Sequence, residues 1–176
     1  MKIALVVGHK KTSQGASNKT YDIAEFGFNT SLVDDIIDQY IGDNVLIKVL
    51  RTSYRSVPYS VNEKNPDFAI SFHCNAYNTK VSGTEMLYYH RSTKGKLMAE
   101  ILQKNICDAL HLRSRGIKPK TVEDRGGYIL KYVYCPIVIA EPFFIDNDSD
   151  YDIALEHRDA LIHAFIKSID DISFII

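Results

Sequence analysis

The chain contains no tryptophan and only three cysteines in 176 residues. Cys74, Cys107 and Cys135 are odd in number and show no metal-like spacing, which argues against a disulfide framework. Neither sign of charge is in excess. With 21 Lys and Arg against 22 Asp and Glu, nothing resembles the basic footprint of a nucleic-acid binder or a polybasic membrane patch. Long hydrophobic runs are also missing. The apolar start, Met1 to Val7, is cut off by Gly8-His9-Lys10-Lys11 before it reaches the length of a signal-peptide core. No stretch approaches the roughly 20 apolar residues of a membrane span. There is no internal repeat, linker or low-complexity tract. These absences lead to the expectation of a single domain over residues 1–176, made in the cytoplasm without a signal peptide and not inserted in a membrane. At 45% hydrophobic and 24% charged, the chain has ordinary globular composition and enough length to bury a real core.

What is present is an alternation of two periodicities. Ile3 to Val7 is continuously apolar and β-rich, as expected of a strand covered on both faces. Residues 10–24 are polar and read as a long loop. From about Glu25, the residues Phe28, Leu32, Val33, Ile36, Ile37 and Tyr40 fall on one helical face, and Gly42 stops the pattern. Val45 to Leu50 reads as the second strand, Asp67 to Phe72 as the third and Gly83 to Tyr89 as the fourth. A second helix is predicted from about Lys94 to Leu110. Arg113 to Gly127 reads as loop, Tyr128 to Val133 as a short strand, and Ile137 to Ala140 as a buried one. A last helix is predicted from about Ser149 to Ile169, with Asp150 and Asp152 near its N-terminus. Strands alternating with helices predict an α/β fold: a mostly parallel twisted sheet of about six strands with helices on both faces.

Polar residues collect at corresponding places in this pattern. His9 follows the first strand, His73 closes the third, Glu141 follows the last, and Glu25 opens the first helix. In open α/β sheets, ligands bind outside the carboxyl ends of the strands. A histidine ending the buried run Phe68-Ala69-Ile70 costs desolvation unless it has a partner. Two histidines and a glutamate suit a catalytic zinc site with one open position, and a remaining carboxylate suits a general base.

These residues, in this order, resemble the zinc-dependent N-acetylmuramoyl-L-alanine amidase family. Val7-Gly8-His9 looks like the family's opening Gly-His, and Glu25 with Asn29 like its helix-borne glutamate. Ser71-Phe72-His73-Cys74-Asn75-Ala76 is similar to Ser-Ile-His-Ala-Asn-Ala, and Gly83-Thr84-Glu85 with Tyr88-Tyr89 fits the next strand. Glu141-Pro142-Phe143-Phe144-Ile145-Asp146-Asn147 resembles the closing Glu-x-Gly-Phe-x-Ser-Asn. The resemblance implies that His9, Glu25 and His73 bind one zinc ion, that Glu141 is the catalytic acid/base, and that peptidoglycan is the substrate. It implies hydrolysis of the amide between N-acetylmuramic acid and L-alanine, as in a phage or prophage endolysin reaching the cell wall after release or export. No separate cell-wall-binding domain is expected. Three departures stand out: Lys10-Lys11 after the first histidine, Phe143 in place of a glycine beside Glu141, and a Thr-Arg-x-x-Asp stretch reduced to Leu50-Arg51-Thr52-Ser53-Tyr54.

Two other readings remain open: a zinc carboxypeptidase or other amidohydrolase on the same fold, and a wall-binding module without turnover. Asn75, two residues past His73, is either an orienter of that histidine or a turn residue. Cys74 points away from His73 by strand alternation, and Cys107 and Cys135 read as packing residues. His157 reads as partly packed and His163, His90 and His111 as solvated. Arg125 beside Gly126-Gly127 reads as an exposed loop arginine in preference to the alternative, a contact with a substrate carboxylate. The 11 tyrosines are numerous enough to line a glycan or peptide groove but too scattered in sequence to rank.

Overall fold

A computed structural model of the chain describes residues 1–176. The first strand, β1 (Lys2–Val7), lies between two parallel neighbours, β4 (Val45–Leu50) and β5 (Phe68–Phe72). β8 (Ile137–Glu141) pairs parallel with β5, and β6 (Thr84–Tyr89) pairs antiparallel with β8. β7 (Ser114–Lys120) closes the edge parallel to β6, giving the order β4-β1-β5-β8-β6-β7. The reversal at β6 has a local consequence. Glu85, near the start of β6, sits in register with Glu141 at the end of β8.

Side chains alternate across the sheet, so each strand feeds two cores. Ile3, Leu5, Val7, Phe68, Ile70 and Phe72 enter one of them, with α1 (Glu25–Gln39), α3 (Thr93–Leu110) and α6 (Arg158–Ile175). Ala4, Val6, Ala69 and Ile139 enter the other, with the short helices α2 (Val57–Asn62) and α4 (Gly127–Tyr132). The first core holds 31 buried residues and the second 12, so the second face is thinly covered and leaves room for a cavity at its strand ends. Coverage of both faces explains why β1, β5 and β8 read as unbroken apolar runs.

The expected count of six strands is met, but with one different member. Tyr128 to Val133 is not a strand: it is α4 and the residue after it, started by Gly126 at a positive φ of 84° and burying Ile129 and Leu130. The sixth strand is β7, in a segment expected to be loop. Ser114-Arg115-Gly116-Ile117-Lys118-Pro119-Lys120 carries a glycine and a proline, residues tolerated in a strand at an edge, where one side needs no ladder partner. α2, with Pro58 in its first turn, lies in a segment read only as polar. The supposed long loop 10–24 holds a small hairpin of β2 (Ser17–Asn18) and β3 (Ile23–Ala24). The last helix is two: α5 (Asp148–Glu156), capped by the Asn147 side chain, and α6, separated at His157.

Candidate functional site

Two glycines allow the site's side chains to approach one another. Gly8 directly follows β1 and donates its N–H to the Phe72 carbonyl at 2.9 Å. A Cβ there would lie 2.5 Å from that oxygen and 2.6 Å from the His73 ring, so only glycine lets β1 and β5 close at this level. His9 follows in a left-handed conformation, φ 63°, which aims its ring toward the end of β5. Gly15, at φ 84°, passes so near that a Cβ would meet both a Glu25 oxygen and the His9 ring at 2.6 Å.

Glu25 is the first residue of α1 and is fully buried. Its Oε1 accepts hydrogen bonds from His73 Nδ1 at 2.8 Å and from the Cys74 N–H at 3.0 Å. Its Oε2 accepts from the Ala16 N–H at 3.2 Å and lies 3.1 Å from His9 Nε2. The His9 nitrogen is within ion-pair distance but lacks hydrogen-bond alignment, so it is a buried polar atom with no partner. Burial by itself would raise the Glu25 carboxyl, but its hydrogen bond from His73 and its charge interactions with His73 and His9 outweigh that and hold it well below the usual range. Burial pushes the His73 imidazole down, against the pull of Glu25. The resulting pair is an ionised carboxylate beside a neutral imidazole, the protonation states in which both groups bind metal.

His9, Glu25 and His73 thus arrive from three different elements, with their ligand atoms all within 4.8 Å of one another. The donor chemistry and the unpartnered His9 nitrogen fit a divalent cation. Glu141, the last residue of β8, lines the same cavity of about 380 Å³ as the two histidines. Its Oε2 is buried with no hydrogen-bond partner. Burial raises its carboxyl well above the usual value, the Glu25 charge adds to that, and Arg125 and Lys120 partly offset it. A buried carboxyl raised in this way, with a free oxygen facing the cavity, suits general acid/base work.

The remaining cavity wall was largely invisible in sequence. Arg51, just past β4, has its Nε buried and unpaired and its guanidinium 5.9 Å from the Tyr54 ring. Lys120 and Arg125 add two more cations, and Leu87, Ile129 and Ile139 supply an apolar floor. Arg125 is exposed, as the loop reading expects, and it also lines the cavity, where the alternative of a substrate-carboxylate contact needs it. Asn75 makes no side-chain hydrogen bond to His73. Its Nδ2 donates to Glu85 Oε1 at 2.8 Å, and Glu85 Oε2 accepts from Arg115 Nε at 2.9 Å. Phe143 does not crowd Glu141. It lies fully buried in the larger core, edge-to-face with Phe28 at 5.0 Å between ring centroids. Cys74 is likewise buried in that core, facing away from the cavity.

A family model described as N-acetylmuramoyl-L-alanine amidase matches residues 3–171. The chain belongs to this amidase family. An uncharacterized cell wall amidase of Bacillus anthracis is 33% identical over 92 residues, 48% of this chain but only 16% of that protein's own length. Among solved structures, an N-acetylmuramoyl-L-alanine amidase from Clostridium difficile superposes with a TM-score of 0.84 at 20% identity, covering 97% of this chain and 95% of the other. An endolysin catalytic domain targeting Clostridia difficile gives 0.81 at 25% identity, covering 97% of each chain. The amidase fold therefore extends over nearly the whole chain.

Proposed function

We propose that this amidase-family chain is a catalytic domain that hydrolyses the amide between N-acetylmuramic acid and L-alanine in peptidoglycan. His9, Glu25 and His73 would hold one zinc ion, and Glu141 would act as acid/base. The observation that supports this most directly is the pairing of a three-residue donor cluster with a buried, unpartnered Glu141 oxygen on one cavity. Zinc bound there would lower the pKa of a water toward neutrality and polarise the scissile carbonyl. Glu25, ionised and held by the Ala16 and Cys74 amides, keeps its position before substrate arrives. Glu141 takes a proton from the attacking water as its oxygen bonds to the lactyl carbonyl carbon. It then passes that proton to the alanine nitrogen as the C–N bond breaks. The apolar floor of Leu87, Ile129 and Ile139 limits water around the reacting atoms. The cell wall is then the place of action.

One observation favours a second reading. Three cations lining the cavity, Arg51, Lys120 and Arg125, also suit the terminal carboxylate of a carboxypeptidase substrate. Mass spectrometry of products from purified wall material separates the two. The amidase releases intact stem peptide with a free alanine amine and leaves a free lactyl carboxyl on the glycan. Release of single C-terminal amino acids instead would overturn the amidase reading. Activity that survives both chelation and Glu141→Gln would sink the zinc mechanism.

A further inference from the structure

Beside the catalytic cavity lies a second hollow that the chemistry above does not use. It occupies about 480 Å³ between α2 and α4, and its walls include Tyr59, Tyr128, Tyr132 and Tyr134. Tyr59 is 72% exposed and Tyr134 88%, with Tyr132 also open to solvent. The rings connect to the active site in a chain. Tyr54 lines the catalytic cavity, lies 5.7 Å from the Tyr128 ring, and Tyr128 lies 4.8 Å from Tyr132. The hollow is also braced. Asn62 of α2 donates from Nδ2 to the Tyr132 carbonyl at 3.0 Å and accepts from the Tyr134 N–H at 2.9 Å.

We propose that this tyrosine track is a binding groove for a polysaccharide chain of N-acetylhexosamine units, leading into the catalytic cavity. The occupant follows from the lining. The groove's only non-tyrosine apolar residue is Pro58; it offers no aliphatic side chain to an amphipathic helix. Tyrosine has an apolar face and a polar tip, which suits a pyranose ring with its C–H face and its rim of hydroxyls. Arg55, Asn62 and Glu63 add planar polar groups at the edge for those hydroxyls. Continuity through Tyr54 puts the groove on the path of any polymer whose side branch enters the cavity. The proposal deepens the peptidoglycan reading and rests on it for the direction of the strand.

The test is titration calorimetry of a peptide-free N-acetylglucosamine hexamer into full-length Glu141→Gln, which reads sugar binding independently of turnover. Saturable binding is expected. Tyr59→Ala and Tyr132→Ala on that background should each weaken it about fivefold, the order of one lost ring contact. Tyr59→Phe and Tyr132→Phe should retain it, and Tyr77→Ala, an exposed tyrosine outside the groove, should leave it unchanged. Thermal melts of each variant verify folding. Absent hexamer binding, or binding indifferent to both alanine changes, overturns the proposal. So does a sugar-free stem peptide whose affinity falls in the same variants, which would make this a peptide groove. If amide hydrolysis fails while the titration behaves as expected, the activity reading falls and the groove stands.

Discussion

Glu141 carries a carboxyl oxygen that is buried and unpaired, and its environment favours the protonated form. That preference has a stability consequence in the metal-free protein. A carboxyl whose folded pKa lies above its unfolded value keeps its proton in the fold. Stability is therefore fully present below the unfolded pKa and is lost as pH rises toward the folded one. Glu141→Gln removes this loss, so its Tm should exceed that of wild type at about pH 8, with the difference closing toward about pH 4. A difference independent of pH would contradict the burial argument. In turnover the same substitution should lower kcat about 10²- to 10⁴-fold, the usual share of general acid/base catalysis. Gly15 shows a different residue-scale constraint, since a Cβ there collides with both Glu25 and His9. Gly15→Ala should weaken zinc binding about 10- to 100-fold, measured by competition with a chromogenic chelator, with the circular dichroism spectrum unchanged.

At the scale of elements, the loop that follows Glu141 is held by Asp150 of α5. This carboxylate is buried and accepts from the Ser82 hydroxyl, from the Gly83 N–H at 3.1 Å and from the Phe144 N–H at 3.0 Å. It ties the start of β6 to the end of β8, the two strand ends that place Glu85 and Glu141. Asp150→Ala leaves two buried amides without partners and should cost at least about 3 kcal/mol, lowering Tm by about 6–12 °C in a calorimetric scan. In sequence, Asp150 could be read only as a helix-terminal charge. Of the elements that were legible, β1, β5, β8, α1 and α3 each bury a long stripe or a run covered on both sides, so their periodicity is strong; β4 and β6 were legible too, as β-rich runs bounded by polar residues and glycine. The misread ones are short or at an edge. Tyr128-Ile129-Leu130 has a strand's propensity, and it is helical because Gly126 turns the chain and the second core accepts Ile129 and Leu130 side by side.

For the whole molecule, three chain segments meet at the donor cluster, so a metal bound there would be linked to folding. Zinc at about 100 times its Kd should stabilise the native state by about 2.7 kcal/mol and raise Tm by about 5–11 °C. His73→Ala should lose most of that rise. An equal rise in the variant would place the metal elsewhere. The unequal cores set where this can happen: the thick side, with α1, α3 and α6, fixes the strand ends, and the thin side leaves the cavity and the tyrosine groove open.

The sequence alone determined the α/β class, the principal strands, the three polar residues at strand ends and Glu25 at the start of α1, because a strand buried on both faces must be apolar until it emerges at the sheet's edge. It also carried the family, through ordered short motifs. Tertiary structure decided the rest. The reversal of β6 brought Glu85 beside Glu141, the edge position made β7 a strand, and packing turned Phe143 away from the site. Arg51, Lys120 and the tyrosines became neighbours only through the fold, since they lie in loops or in short and edge elements whose local sequence has no period and whose proximity depends on contacts distant along the chain.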